Sequence, residues 1–136
     1  MLFTHANNPI PNWRLPEAAY IHIPFCAQHC GYCDFAIAIG KDAIRDNYLD
    51  ALEKEISKLG SPHPVQSWFI GGGTPTELNA IQLERLCKML KQWLPLRGEA
   101  EFSIEANPDS TTEEKLAVLA NYGLTRLSLG VQSFQE

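Results

Sequence analysis

Four short runs of strand length alternate with three segments of helical periodicity, and that rhythm restricts the chain to a small set of parallel α/β architectures. The runs lie at 20–23, 65–70, 100–105 and 125–129, the third of them alternating apolar with polar residues. Between them, Ile44, Tyr48, Leu52, Ile56 and Leu59 recur at helical spacing over 42–59, and Gly60, Pro62 and Pro64 stop that helix. Leu83, Leu86, Cys87, Leu90 and Leu94 mark a second helix over 81–93. A third is predicted from a capping box at Thr111 and Glu114 through Tyr122, with Gly123 as its left-handed stop. Units of this kind join parallel strands through right-handed crossovers, and both a doubly wound sheet and a barrel satisfy the order. A complete eight-unit barrel needs about 250 residues. The expectation is therefore an N-terminal portion of a larger domain: a Pro- and Asn-rich loop segment over 1–17, then the start of the core domain over 18–136. Standing alone, such a piece would expose the edge of its fourth strand.

Chemistry concentrates just after the first strand. Cys26, Cys30 and Cys33 are spaced Cys-x3-Cys-x2-Cys, close enough for three thiolates of one loop to reach one inorganic centre. They supply one ligand fewer than a closed tetrahedral zinc or a cubane iron-sulfur site requires. Zinc completed by a distant fourth ligand remains one reading. No second Cys pair or His-x3-His follows, so the ligand count favours a three-thiolate cubane with one open iron. His29 lies within the loop. His22 alternates with Ile21 and Ile23 and is expected to make a structural hydrogen bond on the opposite face.

Three more motifs fall at the carboxyl ends of the later strands, the rim where parallel α/β folds bind ligands. Gly71, Gly72, Gly73 and Thr74 follow the second strand, and a bare glycine run lets backbone amides and carbonyls approach a ligand. The run is not Gly-x-Gly-x-x-Gly and lacks a Gly-Lys-Ser/Thr ending, which disfavours a nucleoside triphosphate. Glu105 ends the third strand and Gln132 follows the fourth, a carboxylate and an amide suited to ribose hydroxyls or an amino-acid head group. Cys87, Trp68, Trp93 and Tyr122 read as packing.

Composition sets the context. At 45% hydrophobic and 20% charged residues the chain can bury a core and is not a disordered tail. Acidic side chains outnumber basic ones by 16 to 11, whereas nucleic acid and anionic membranes both call for clustered Lys and Arg. No apolar run approaches the roughly 20 residues of a transmembrane helix, and 1–14 lacks the cationic start and apolar centre of a secretion signal. A reducing cytoplasm is the expected compartment, and the crowding of three cysteines into one loop favours metal over disulfides.

Taken together, the stretches at 22–35 (HIPFCAQHCGYCDF), 69–76 (FIGGGTPT), 104–108 (IEANP) and 126–134 (RLSLGVQSF) resemble the radical S-adenosylmethionine superfamily. Within it they are similar to the oxygen-independent coproporphyrinogen III oxidase family and its HemW-type haem chaperone branch. The resemblance implies a partial (β/α)6 TIM-like barrel and a [4Fe-4S] cluster held by Cys26, Cys30 and Cys33, with S-adenosylmethionine on the fourth iron. Tyr20, Tyr32, Gly72, Gly73, Thr74, Glu105 and Gln132 match family positions that contact S-adenosylmethionine. It further implies haem or a porphyrinogen as ligand and, on the chaperone branch, a respiratory haem acceptor as partner. One departure separates the branches: the oxidases carry a fourth cysteine two residues after the third, and here that position is Phe35.

Overall fold

The computed structural model describes residues 16–135, so most of the expected loop segment at 1–17 lies outside the described residues. Four strands, β1 (Ala18–Ile23), β4 (Val65–Gly72), β5 (Leu96–Ala106) and β6 (Arg126–Leu129), form one parallel sheet in the order β1-β4-β5-β6. Three helices, α1 (Arg45–Ser57), α2 (Ala80–Trp93) and α3 (Glu113–Asn121), connect them in turn. A two-residue parallel pair, β2 (Phe25–Cys26) with β3 (Ala38–Ile39), closes the base of the cysteine loop. Pairs this short leave no periodicity in the sequence, which is why none was expected.

The helices pack on one face of the sheet. Ile21, Ile23, Trp68, Ile70, Phe102 and Ile104 point into a single core with Leu49, Leu83, Leu86, Leu90 and Leu119. On the other face Tyr20 and Phe69 stay exposed. A doubly wound sheet carries helices on both faces and reverses its strand order at a switch point. Here the strands follow sequence order and one face is bare, as in a barrel wall whose bare face lines the interior.

Several boundaries differ from expectation for local reasons. The first helical segment divides into a 3-10 turn, Asp42–Ile44, and α1. Strand β5 begins at Leu96 rather than at 100, because register slips between Val65–Leu96 and Ser67–Glu101 and Gly98 takes φ +65° inside the slip. The cap of α3 is Thr112, whose hydroxyl accepts the Lys115 amide. The Thr111 hydroxyl instead donates to the Asn107 carbonyl at 2.7 Å. A complete capping box does occur, at Asn79 and Gln82 of α2. Gly60 and Gly123 end their helices at φ +72° and +85°, as expected.

Candidate functional site

The carboxyl ends of the strands converge on a cleft of about 720 Å³. Its wall includes Cys26, Cys30 and Cys33 from the loop after β1, Gly72, Gly73 and Thr74 after β4, Glu105 at the end of β5, and Gln132 after β6. Tyr32 and Phe35 also line it. The residues singled out from the sequence for the cluster or cofactor are therefore on this wall except Gly71 of the glycine run and Tyr20. Its hydroxyl bonds His22 Nδ1 at 3.1 Å, and its ring stacks on Phe69 across the bare face of the sheet.

The three loop cysteines are free and half-buried. Burial pushes the Cys26 thiol above its ordinary range, a hydrogen bond from Thr74 partly offsets this, and Cys33 and Cys30 add to the rise. Cys26 Sγ lies 3.7 Å from Thr74 Oγ1, tying the cysteine loop to the glycine run. Among the described residues, no three His, Cys, Asp or Glu side chains converge to hold a single metal ion. In a four-iron cubane each cysteine would take a different iron. The three free thiols on one wall are the donor set that a three-thiolate cubane would use.

Each glycine of the run admits a different neighbour. A Cβ on Gly71 would stand 2.6 Å from Glu105 Oε2, and one on Gly72 would stand 2.5 Å from His22 Nδ1. On Gly73 it would meet the backbone of Phe25 and Pro24 at 2.7 and 2.8 Å. Gly72 also takes φ +116°, outside the range open to other residues, and its amide donates to Glu105 Oε2 at 3.0 Å. The run was expected to bring backbone close to a ligand; its geometry also lets the cysteine loop and the Glu105 carboxylate close onto β4. Beyond Gly73, its amide and that of Thr74 bond the Ile23 and Phe25 carbonyls, so strand and loop are sewn together at the rim.

His22 behaves as its position on the strand suggested. Its Nε2 lies 3.1 Å from the Ala36 carbonyl, which makes Nε2 the donor, and Nδ1 meets the Tyr20 hydroxyl. His29 is an exposed loop residue and Cys87 is core, burial pushing its thiol up to about 12. Gln132 is the one non-glycine at positive φ among the described residues, +65°, a strained conformation that aims a loop residue at the rim.

Sequence reasoning gave no role to Asn107 or Glu77, which also line the cleft. Asn107 Nδ2 donates to Thr74 Oγ1 at 3.3 Å, fastening two rim loops. Its signal in the sequence was its place in the 104–108 stretch quoted for the resemblance, which named no role for it. Glu105 and Asp109 make the wall acidic, the Glu77 carboxylate being paired with Arg45 at 3.2 Å, and among the described residues no Lys, Arg or His lines it. Such a wall suits a small cationic ligand better than an anionic one.

Comparison with known proteins agrees with this arrangement. The Radical SAM superfamily model matches residues 20–136. The chain is 46% identical over 125 residues to "Heme chaperone HemW" of Bacillus subtilis, covering 88% of this chain and 33% of that protein. It is 42% identical over 133 residues to the Synechocystis protein of the same name, covering 91% and 32%, and 36% identical over 125 residues to that of Escherichia coli, covering 89% and 33%. The chain thus spans about a third of the length of these relatives. Among solved structures it superposes with TM-score 0.79 and 40% identity on one described as "Coproporphyrinogen III oxidase (HemN) from Escherichia coli is a Radical SAM enzyme", covering 88% of this chain and 29% of that one. The parallel sheet, covered on one face, is accordingly part of a TIM-like radical SAM fold. With the family model matched from β1 onward and the three-cysteine loop, glycine run and strand-end carboxylate facing one cleft, the chain belongs to the Radical SAM superfamily.

Proposed function

We propose that this chain forms the cluster-bearing wall of a haem chaperone, a protein that binds haem and delivers it to respiratory enzymes in the cytoplasm. The single observation that carries the reading is Phe35. It lines the cleft and is exposed, where the oxidases of the resembling family carry a fourth cysteine. The relatives named as haem chaperones support it.

Membership of the superfamily implies a [4Fe-4S] cluster and S-adenosylmethionine. Cys26, Cys30 and Cys33 would hold the cluster, which when bound can supply one electron to a sulfonium. The protein's part is placement. Gly72, Gly73 and Thr74 offer main-chain groups and a hydroxyl at the rim, and Glu105, fixed by the Gly72 amide, and Gln132 present a carboxylate and an amide. Tyr32 projects into the same space from between two of the cysteines. The acidic lining complements the sulfonium and ammonium of S-adenosylmethionine. It offers nothing to the carboxylates of haem or a porphyrinogen, which are held elsewhere in this reading. No helix among the described residues is long and apolar enough to cross a membrane.

The alternative is an oxygen-independent coproporphyrinogen III oxidase, which converts coproporphyrinogen III to protoporphyrinogen IX by oxidative decarboxylation. The likeness to the solved HemN structure favours it. Anaerobic incubation of the full-length, cluster-loaded protein with coproporphyrinogen III, reductant and S-adenosylmethionine separates the two. Stoichiometric haem uptake without turnover is expected, and formation of protoporphyrinogen would defeat the chaperone reading.

A further inference from the structure

Lys115 has no part in the cofactor set above, yet it reaches the rim from underneath. It sits in the first turn of α3 and is half-buried. Its ammonium donates to the Thr76 carbonyl at 2.6 Å and to the Ser110 carbonyl at 2.8 Å. These acceptors belong to two separate 3-10 turns, Pro75–Glu77 after β4 and Pro108–Ser110 after β5. The last carbonyls of a short helical turn have no partner within it, so one cation satisfies both turns at once. A charged donor makes each of these bonds stronger than a neutral one.

The same two turns are joined by their side chains. Thr76 Oγ1 and Ser110 Oγ lie 2.6 Å apart, and the Asn107 amide bonds Thr76 Oγ1 at 3.3 Å. Thr76 is fully buried, so the junction is part of the fold's interior. From it project Thr74, Glu77 and Asn107, all of which line the cleft, and Thr74 in turn touches Cys26. The rim groups that would meet a cofactor are thus carried by loops that one ammonium bridges alongside these bonds, while Arg45 holds the Glu77 carbonyl of the first turn at 2.6 Å.

We propose that Lys115 is a positioning residue for the cofactor cleft, an ionic staple that holds the β4 and β5 rim loops at the spacing S-adenosylmethionine requires. The proposal rests on that cofactor's occupying the cleft. It places the staple on α3, outside the motifs that mark the family, and assigns it no contact with the ligand.

The test uses the full-length protein, anaerobically loaded with iron and sulfide, and reads S-adenosylmethionine binding by equilibrium dialysis. Lys115→Met keeps the aliphatic stem and removes the ammonium. It is expected to raise Kd on the order of tenfold, as small misplacements of binding groups do, with iron content unchanged. Amide hydrogen exchange should rise in 74–77 and 108–111. Lys115→Arg, which retains charged donors, should restore most of the affinity. Thr76→Val, which cuts only the hydroxyl link of the same junction, should show the same pattern more weakly. A Lys115→Met protein that melts earlier but binds S-adenosylmethionine as the wild type does would make Lys115 merely structural and overturn the proposal, as would failure of Lys115→Arg to recover binding. If the cluster-loaded wild type itself takes up no S-adenosylmethionine, it is the assignment of the cleft that fails.

Discussion

At the scale of single residues, the glycine run shows how a side chain's absence can be structural. A Cβ on Gly73 would collide with main chain at Pro24 and Phe25, which cannot rotate away, so Gly73→Ala must push the cysteine loop off β4. A loss of about 1–3 kcal/mol is expected, the range of an overpacked interior, read as a shift in the urea midpoint of the full chain. Gly31, within the cysteine loop, has open space around its would-be Cβ and no positive φ, so Gly31→Ala should stay within about 0.5 kcal/mol. Cysteine reactivity divides along the same line. Burial lifts the Cys87 thiol to about 12, leaving almost no thiolate at neutral pH. Alkylation of the cluster-free native protein should therefore modify Cys26, Cys30 and Cys33 and spare Cys87 until the chain is unfolded. Cys26, also raised, should react faster as pH climbs, since only the thiolate attacks. Mass mapping of the labelled peptides checks both. The cysteines were legible in the sequence because their spacing alone announces a shared centre. What each glycine accommodates was not, because the identity of the neighbour, a carboxylate, an imidazole or a peptide bond, is decided by strands and loops remote in sequence.

Elements were legible wherever a pattern ran for two turns or more. The apolar stripe of α2 and the stop at Gly60 could be read directly. Ends were harder, because caps are contests between neighbouring polar residues. Thr111 and Thr112 offer the same hydroxyl to α3; Thr112 takes the cap, while Thr111 donates to the Asn107 carbonyl. The start of β5 was hidden by Gly98, whose positive φ belongs to the register slip rather than to regular strand. The strongest helix start in the chain is the reciprocal Asn79–Gln82 box, in which Gln82 also donates to Asp46 of α1. Asn79→Ala should lower stability by about 1 kcal/mol, as lost N-caps do, measured by chemical denaturation. Equal stability would mean that α2 is held by its buried face alone.

For the molecule as a whole, the decisive feature is a sheet clothed on one side only. Its bare face and rim bring together groups from after β1, β4, β5 and β6, so the site exists only once three crossovers have formed. The rim position of the motifs followed from the strand–helix rhythm, and the choice between open sheet and barrel wall awaited the strand order. Leu129, Val131 and Phe134 are exposed along and beyond β6, whose outer edge carries no strand among the described residues. Residues 1–136 expressed alone should therefore self-associate, as unpaired edges promote; a monodisperse monomer in sedimentation velocity would contradict this. The proposal for the cleft is that Cys26, Cys30 and Cys33 would hold a cubane whose fourth iron S-adenosylmethionine would take. The electron paramagnetic resonance spectrum of the anaerobically reduced full-length protein tests it most directly. The cluster signal should change shape and position when S-adenosylmethionine is added, and a signal unmoved by saturating S-adenosylmethionine would contradict the account.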